Sequence, residues 1–207
     1  MGITDSIKSA GSLLYRQADF IIVDCTDLAK AIQFITSAKH SVKLFASISP
    51  SRKYRFNGKE KTALEAFTIL YDLVDAFIVY NYNELDDAVD PMIAARRFCE
   101  QYRPIYIHVP DNLSKDEMDE VVAYSLFSNI DALMLHDTAQ LGHCINKASG
   151  ILEFIFCSTP DGYENLPLEN NLFKNADVSY IAVKPVSKRC HLKAILTMKR
   201  LASFFKL

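Results

Sequence analysis

The sequence predicts an α/β fold built on a parallel sheet, either a shortened (β/α) barrel of the TIM type or an open doubly wound sheet. Three observations predict it. Seven short runs rich in β-branched and aromatic residues recur along the chain, and most are separated by stretches with helical spacing. Each run is nearly continuous in apolar residues, as a strand covered on both faces must be. Half of the 207 residues are hydrophobic, and no linker or low-complexity tract divides them, so residues 1–207 are read as a single barrel-like domain.

The elements follow in order. Residues 3–17 carry Ile7, Leu13 and Leu14 at helical positions, and 18–25 (ADFIIVDC) is the first strand. Thr26 or Asp27 caps a helix through Leu28, Ala31, Ile32 and Ile35. Residues 42–49 (VKLFASIS) form the second strand, and SPSRKYRFNGKEK after it reads as a long basic loop. A helix over 61–73, a strand over 76–82 and a helix around 88–102 come next. Ile105 to Val109 is a β-rich run bounded by Pro104 and Pro110, and Ser114 with Glu117 three residues on spells a capping box. Met118, Val121, Val122, Ser125 and Leu126 repeat at helical spacing up to the strand Asp131 to Asp137. Strands over 152–158 and 178–184 follow, and HLKAILTMKRLASFF reads as a closing amphipathic helix.

Composition narrows the functions. A net charge of −2 without any dense Lys/Arg block argues against a nucleic-acid surface. The five cysteines lie far apart with no CxxC pair, which argues against disulfides and a zinc site, and no metal is expected. The opening residues are too polar for a signal peptide, and no apolar run approaches the roughly 20 residues that span a bilayer, so a cytoplasmic protein without membrane contact is expected. GxGxxG and GxxxxGK[ST] are both absent, which removes the commonest dinucleotide and P-loop readings. No GxSxG elbow marks a nucleophile, and no catalytic residue is assigned.

The wording of two segments, IHVPDNLSKDEMDEVV and NIDALMLHDT, resembles the FMN-dependent dihydroorotate dehydrogenases, in which a strand ends in a proline and a D-L-[ST] helix start and the next strand ends in a T-N-T-like triplet. VKLFASIS, TALEAFTILYDLVD and AFIVYNYNEL follow that family's element order upstream, so the resemblance covers about Val42 to Lys184. It implies a barrel, FMN as cofactor, and oxidation of dihydroorotate to orotate in pyrimidine biosynthesis. It also implies flavin contacts at His108, Asp137, Thr138, Ser158, Thr159, Gly162, Ser187 and Lys188, and substrate contacts at Asn81, Asn83 and His136. The departures are specific. The family's flavin-contacting lysine falls on His108, its triplet asparagine on Asp137, and its S-S-P-N loop on Tyr82-Asn83-Glu84-Leu85, so the catalytic base is not carried over. Its Gly-Gly loop becomes 157–162, and its last phosphate loop becomes 184–189 with no glycine. A degenerate site is therefore expected, with flavin retained or lost.

Two other classes stay open beside it. One is a barrel aldolase, isomerase or lyase acting on a phosphorylated small molecule held by Ser187, Lys188 and Arg189. The other is a non-catalytic binding protein. Asp24, His108, Asp137 and Ser158 are placed to share one mouth of the sheet, whereas Tyr80 and Tyr82 read as packing and Arg52 to Arg55 as a solvated loop. A small-molecule ligand is the expected partner. An incomplete barrel would also expose a sheet edge, which points to self-association.

Overall fold

Continuous apolar runs need cover on both faces, and the computed structural model, which describes residues 20–38, 43–80, 85–148, 150–158, 178–187 and 190–197, supplies it. The elements are β1 (Phe20–Asp24), α1 (Leu28–Ala38), β2 (Lys43–Ile48), β3 (Tyr54–Phe56), β4 (Lys59–Lys61), α2 (Ala63–Leu70), β5 (Ala76–Val79) and α3 (Leu85–Arg96). Then come β6 (Ile105–His108), α4 (Lys115–Phe127), β7 (Ala132–Leu135), α5 (Thr138–Ala148), β8 (Glu153–Ser158), β9 (Val178–Ser187) and β10 (Cys190–Thr197). Six parallel strands, β1, β2, β5, β6, β7 and β8, alternate with the helices. The hydrogen-bonded order is β1-β10-β9-β8-β7-β6-β5-β2, with β1 and β2 also paired. β9 runs parallel to β8, and β10 lies antiparallel to both β9 and β1.

Strand alternation divides the core in two. Ile21, Val23, Leu44, Phe77, Ile107, Leu133 and Phe154 face the helices and pack with Leu28, Phe67, Met92, Val121 and Leu141. The intervening residues Phe20, Ile22, Phe45, Ala76, Ile78, Ala132, Met134 and Ile155 form a second cluster on the opposite face, with Tyr80 and Tyr106 packed against it. Phe20 stacks on Phe45 at 4.2 Å between ring centroids, and Tyr106 meets Phe45 edge-on. Burial pushes the Tyr106 hydroxyl up to about 12, with further upward contributions from Asp131, Glu153 and Tyr102.

Helix starts obey local chemistry. Ser114 accepts the Glu117 amide while Glu117 accepts the Ser114 amide, the box expected from sequence, and Thr62 with Glu65 forms a second one. Asp27 caps α1 through the Lys30 amide. At the other end of α4, Asn129 takes positive φ and Ile130 donates back to Ser125, closing the helix.

At the N-terminal ends of the strands, two aspartates repeat one device. Asp75 accepts the Leu44 amide at 2.8 Å, and Asp131 accepts the Ile105 amide at 2.8 Å, so each carboxylate ties a strand to its neighbour. Asp131 also takes Arg96 Nη1 at 2.7 Å and the Tyr102 hydroxyl, and Arg96 Nη2 donates to the Asn129 carbonyl at 2.7 Å. Only 6% of the Arg96 side chain is exposed, which makes this a largely desolvated pair.

Three sequence expectations change. Residues 191–197, expected in a closing helix, belong to strand β10, which stands between β1 and β9 and occupies the edge on which self-association was argued. Its Cα partners, Ile195 with Phe20 and Val183 with Ile195, join it to both neighbours, with a register shift between Cys190 and Lys193, and alternating Leu192, Ala194 and Leu196 suit a strand as well as a helix. The basic loop after β2 contains the hairpin β3–β4, turned at Asn57 and Gly58 with both φ positive. Tyr54 in it is buried, its hydroxyl bridging the amide and carbonyl of Ser49. The third helix ends at Arg96, before the expected 102. The expected helix over 3–17 lies outside the described residues.

Removing the Asp131 carboxylate takes the counter-charge from the buried Arg96 guanidinium, which keeps the Asn129 carbonyl, and the acceptor from the Ile105 amide. Asp131→Ala is expected to lower unfolding free energy by about 2–4 kcal/mol in urea titrations, and a loss below about 0.5 kcal/mol would contradict the latch.

Candidate functional site

Period-two alternation carries the concave apolar face upward along each strand until it becomes polar. Ile78 is followed on that face by Tyr80, Tyr106 by His108 and Met134 by His136, each where its strand ends. On β1 and β2 the same positions are Asp24 and Ser47. The C-terminal ends of five parallel strands thus present polar groups over an apolar floor.

Three of these groups touch in series. The Tyr80 and His108 rings stack at 4.4 Å between centroids with 28° between planes. His108 Nε2 lies 2.8 Å from His136 Nε2, and the two rings are tilted by 57° at 4.9 Å. All three residues are half-buried. A contact between two imidazole nitrogens at this distance needs one donor and one acceptor, so the pair holds a single proton between them. Two protonated rings would set two N–H groups against each other.

Other expected residues have different employment. Asp137 is the N-cap of α5, its carboxylate accepting the Gln140 amide at 2.8 Å and its carbonyl accepting the Leu141 amide. Thr138 is exposed in the first turn of that helix. Asp24 accepts the Thr26 amide and hydroxyl, and Arg52 reaches both residues, 2.9 Å from the Thr26 hydroxyl and 3.5 Å from Asp24. Backbone register places Ser158 opposite Ala182, and Ser187 a further five residues along β9, opposite Cys190. That is about 16 Å of strand beyond the level of Ser158. Asn81, Asn83, Thr159, Gly162 and Lys188 lie outside the described residues.

The buried thiols do not supply a nucleophile. Burial, then the charge of Asp24, pushes Cys25 up to about 12, and burial, then Asp119, does the same to Cys144. Among the described residues no group of three or more His, Cys, Asp or Glu could hold a metal ion. No helix among them is long and apolar enough to cross a membrane.

Sequence reasoning passed over two contributors. Tyr80, read as packing, is the ring against which His108 stacks, and its inward position follows from counting two residues on from Ile78. Gln140 is 8% exposed and donates from Nε2 to the Pro110 carbonyl, tying the start of α5 to the end of β6. The signal for it was present as Asp137-Thr138-Ala139-Gln140, an N-cap followed three residues later by glutamine.

A double-mutant cycle with His108→Phe and His136→Phe is expected to show a coupling of about 1 kcal/mol at pH 8. A coupling indistinguishable from zero would contradict the contact. Neither a family model nor a curated protein sequence matches the chain.

Proposed function

We propose that this chain is a shortened TIM-type barrel of dihydroorotate dehydrogenase descent that has given up the flavin reaction and keeps its mouth as a binding site for a small anionic molecule. The observation that carries this reading is the His108–His136 contact. The family resemblance assigns these positions to flavin and substrate, and here they are engaged with each other through a shared proton. Tyr80 beside them offers a stacking face, and an imidazole N–H of the pair is a donor from which an anionic ligand can accept a hydrogen bond.

The described residues fit FMN poorly. A flavin phosphate is commonly cradled by backbone amides at a helix N-terminus, and at the start of α5 the Gln140 amide is already taken by the Asp137 carboxylate. No fixed cation stands at position 108. Ser187 belongs to a strand end well beyond the level of Ser158. No catalytic step is therefore derived through flavin.

The purified chain is expected to lack a flavin absorption band, to leave added FMN fluorescence unchanged, and to reduce no dye with dihydroorotate. Inorganic phosphate at millimolar concentration should raise the melting temperature of the wild type and not that of His108→Ala/His136→Ala. A co-purifying flavin that dihydroorotate bleaches would overturn the reading.

A further inference from the structure

The loop after β2 lays a cation on the same rim as the histidines. Cα partners run from Asp24 to Ser47, from Ser47 to Ile78 and from Ile78 to Tyr106 across β1, β2, β5 and β6. Tyr80 and His108 stand two residues beyond Ile78 and Tyr106, and on the β1 side the same step is Thr26. Arg52 Nη1 lies 2.9 Å from the Thr26 hydroxyl and 3.5 Å from Asp24 Oδ1, so its guanidinium belongs to the level of Tyr80 and His108.

This loop, basic in sequence, is built rather than merely solvated. Tyr54 is 1% exposed, and its hydroxyl accepts the Ser49 amide at 2.7 Å and donates to the Ser49 carbonyl at 3.1 Å. The Arg52 amide donates to that same carbonyl. The Arg55 amide donates to the Thr26 carbonyl, beside a parallel bridge between Asp27 and Arg55. Residues 49–55 are thus pinned to the ends of both β1 and β2. A loop tied this way loses little conformational freedom when one of its side chains takes a ligand.

Arg52 is held without being used up. Both side-chain contacts go through Nη1, and among the described residues Nε and Nη2 meet no acceptor. Those two nitrogens form an edge of the guanidinium that grips a carboxylate through two parallel hydrogen bonds. The side chain is 49% exposed, which leaves room for one. Asp24 positions the cation while its Oδ1 accepts the Thr26 amide and hydroxyl at 2.9 and 2.6 Å. It also biases the choice of ligand. A carboxylate brings a single negative charge near Asp24 and a phosphate up to two, so this neighbour favours the carboxylate.

His108 on β6 and His136 on β7 lie three and four strand spacings from β1, about 14 and 19 Å along the sheet. Curvature shortens the direct path, since it brings Phe20, Phe45, Met134 and Ile155 of β1, β2, β7 and β8 into one cluster. One small molecule acidic at both ends fits such a rim.

We infer that Arg52 receives a carboxylate of the ligand whose other acidic group meets His108 and His136, so that the mouth selects small dicarboxylic acids. This deepens the anion-binding reading of the mouth and rests on it.

Calorimetry on the full chain with succinate, glutarate, adipate and pimelate, and with pentanoate as the one-ended control, tests the assignment. At least one dicarboxylate is expected to bind about tenfold more tightly than pentanoate. Arg52→Gln should bring that dicarboxylate down to the pentanoate level, and Arg52→Lys, which keeps the charge without the fork, should recover only part of the difference. Inorganic phosphate should still move the His108 and His136 imidazole resonances in Arg52→Gln. Wild-type affinities that do not separate dicarboxylates from pentanoate, or a dicarboxylate affinity unchanged in Arg52→Gln, would overturn the role of Arg52 while the phosphate response keeps the anion-binding reading standing. Phosphate that moves neither histidine in the wild type would remove that reading, and this inference with it.

Discussion

Each strand of this ladder must bury two faces at once, and most of the molecule follows from that demand. The helices take one face, where alternate residues such as Ile21, Leu133 and Phe154 meet Leu28, Val121 and Leu141. The other face has no helix to meet. It is covered by curvature, so that Phe20, Phe45, Ile78, Met134 and Ile155, from five strands, make one cluster. A fully buried side chain of this size stabilises by about 1.5–3 kcal/mol, and a one-residue slip would exchange the two sets. The Asp75 and Asp131 carboxylates hold that register from below by taking the Leu44 amide of β2 and the Ile105 amide of β6.

The same constraint makes the site. Apolar alternation ends where the strands end, and the next inward positions are free to be polar because solvent begins there. Tyr80, His108 and His136 are those positions on three adjacent strands, and their contacts follow from register, since His108 pairs with Met134 and leaves His136 one step above. The binding role we propose for the mouth rests on the hydrogen bond between two imidazoles rather than on a thiolate. Asp137, the residue after His136, serves the backbone instead, its carboxylate accepting the Gln140 amide of α5.

Much of the fold was legible in the sequence because the strong signals were local. Seven apolar runs became parallel strands, and Ser114 with Glu117 capped the helix it announced. Residues 191–197 were misread because Leu192, Ala194 and Leu196 fit either period, and only the pairing with β1 and β9 decides between them. The β3–β4 hairpin carried its signal in Asn57-Gly58, hidden by the basic residues around it. At the site, strand-end position pointed to His108 and His136, but neither their contact nor the stacking of Tyr80 can be read without register. The Arg96–Asp131 pair spans 35 residues, a separation no local pattern reports.

The central claim is that ligand recognition belongs to the shared proton of His108 and His136. The most direct measurement is imidazole NMR of the chain during titration with inorganic phosphate, with His143, held by Asp119 on the surface, as internal reference. The account predicts that the His108 and His136 resonances move together with one binding curve while His143 stays still. Movement of His143 alone, or equal movement of all three, would contradict it.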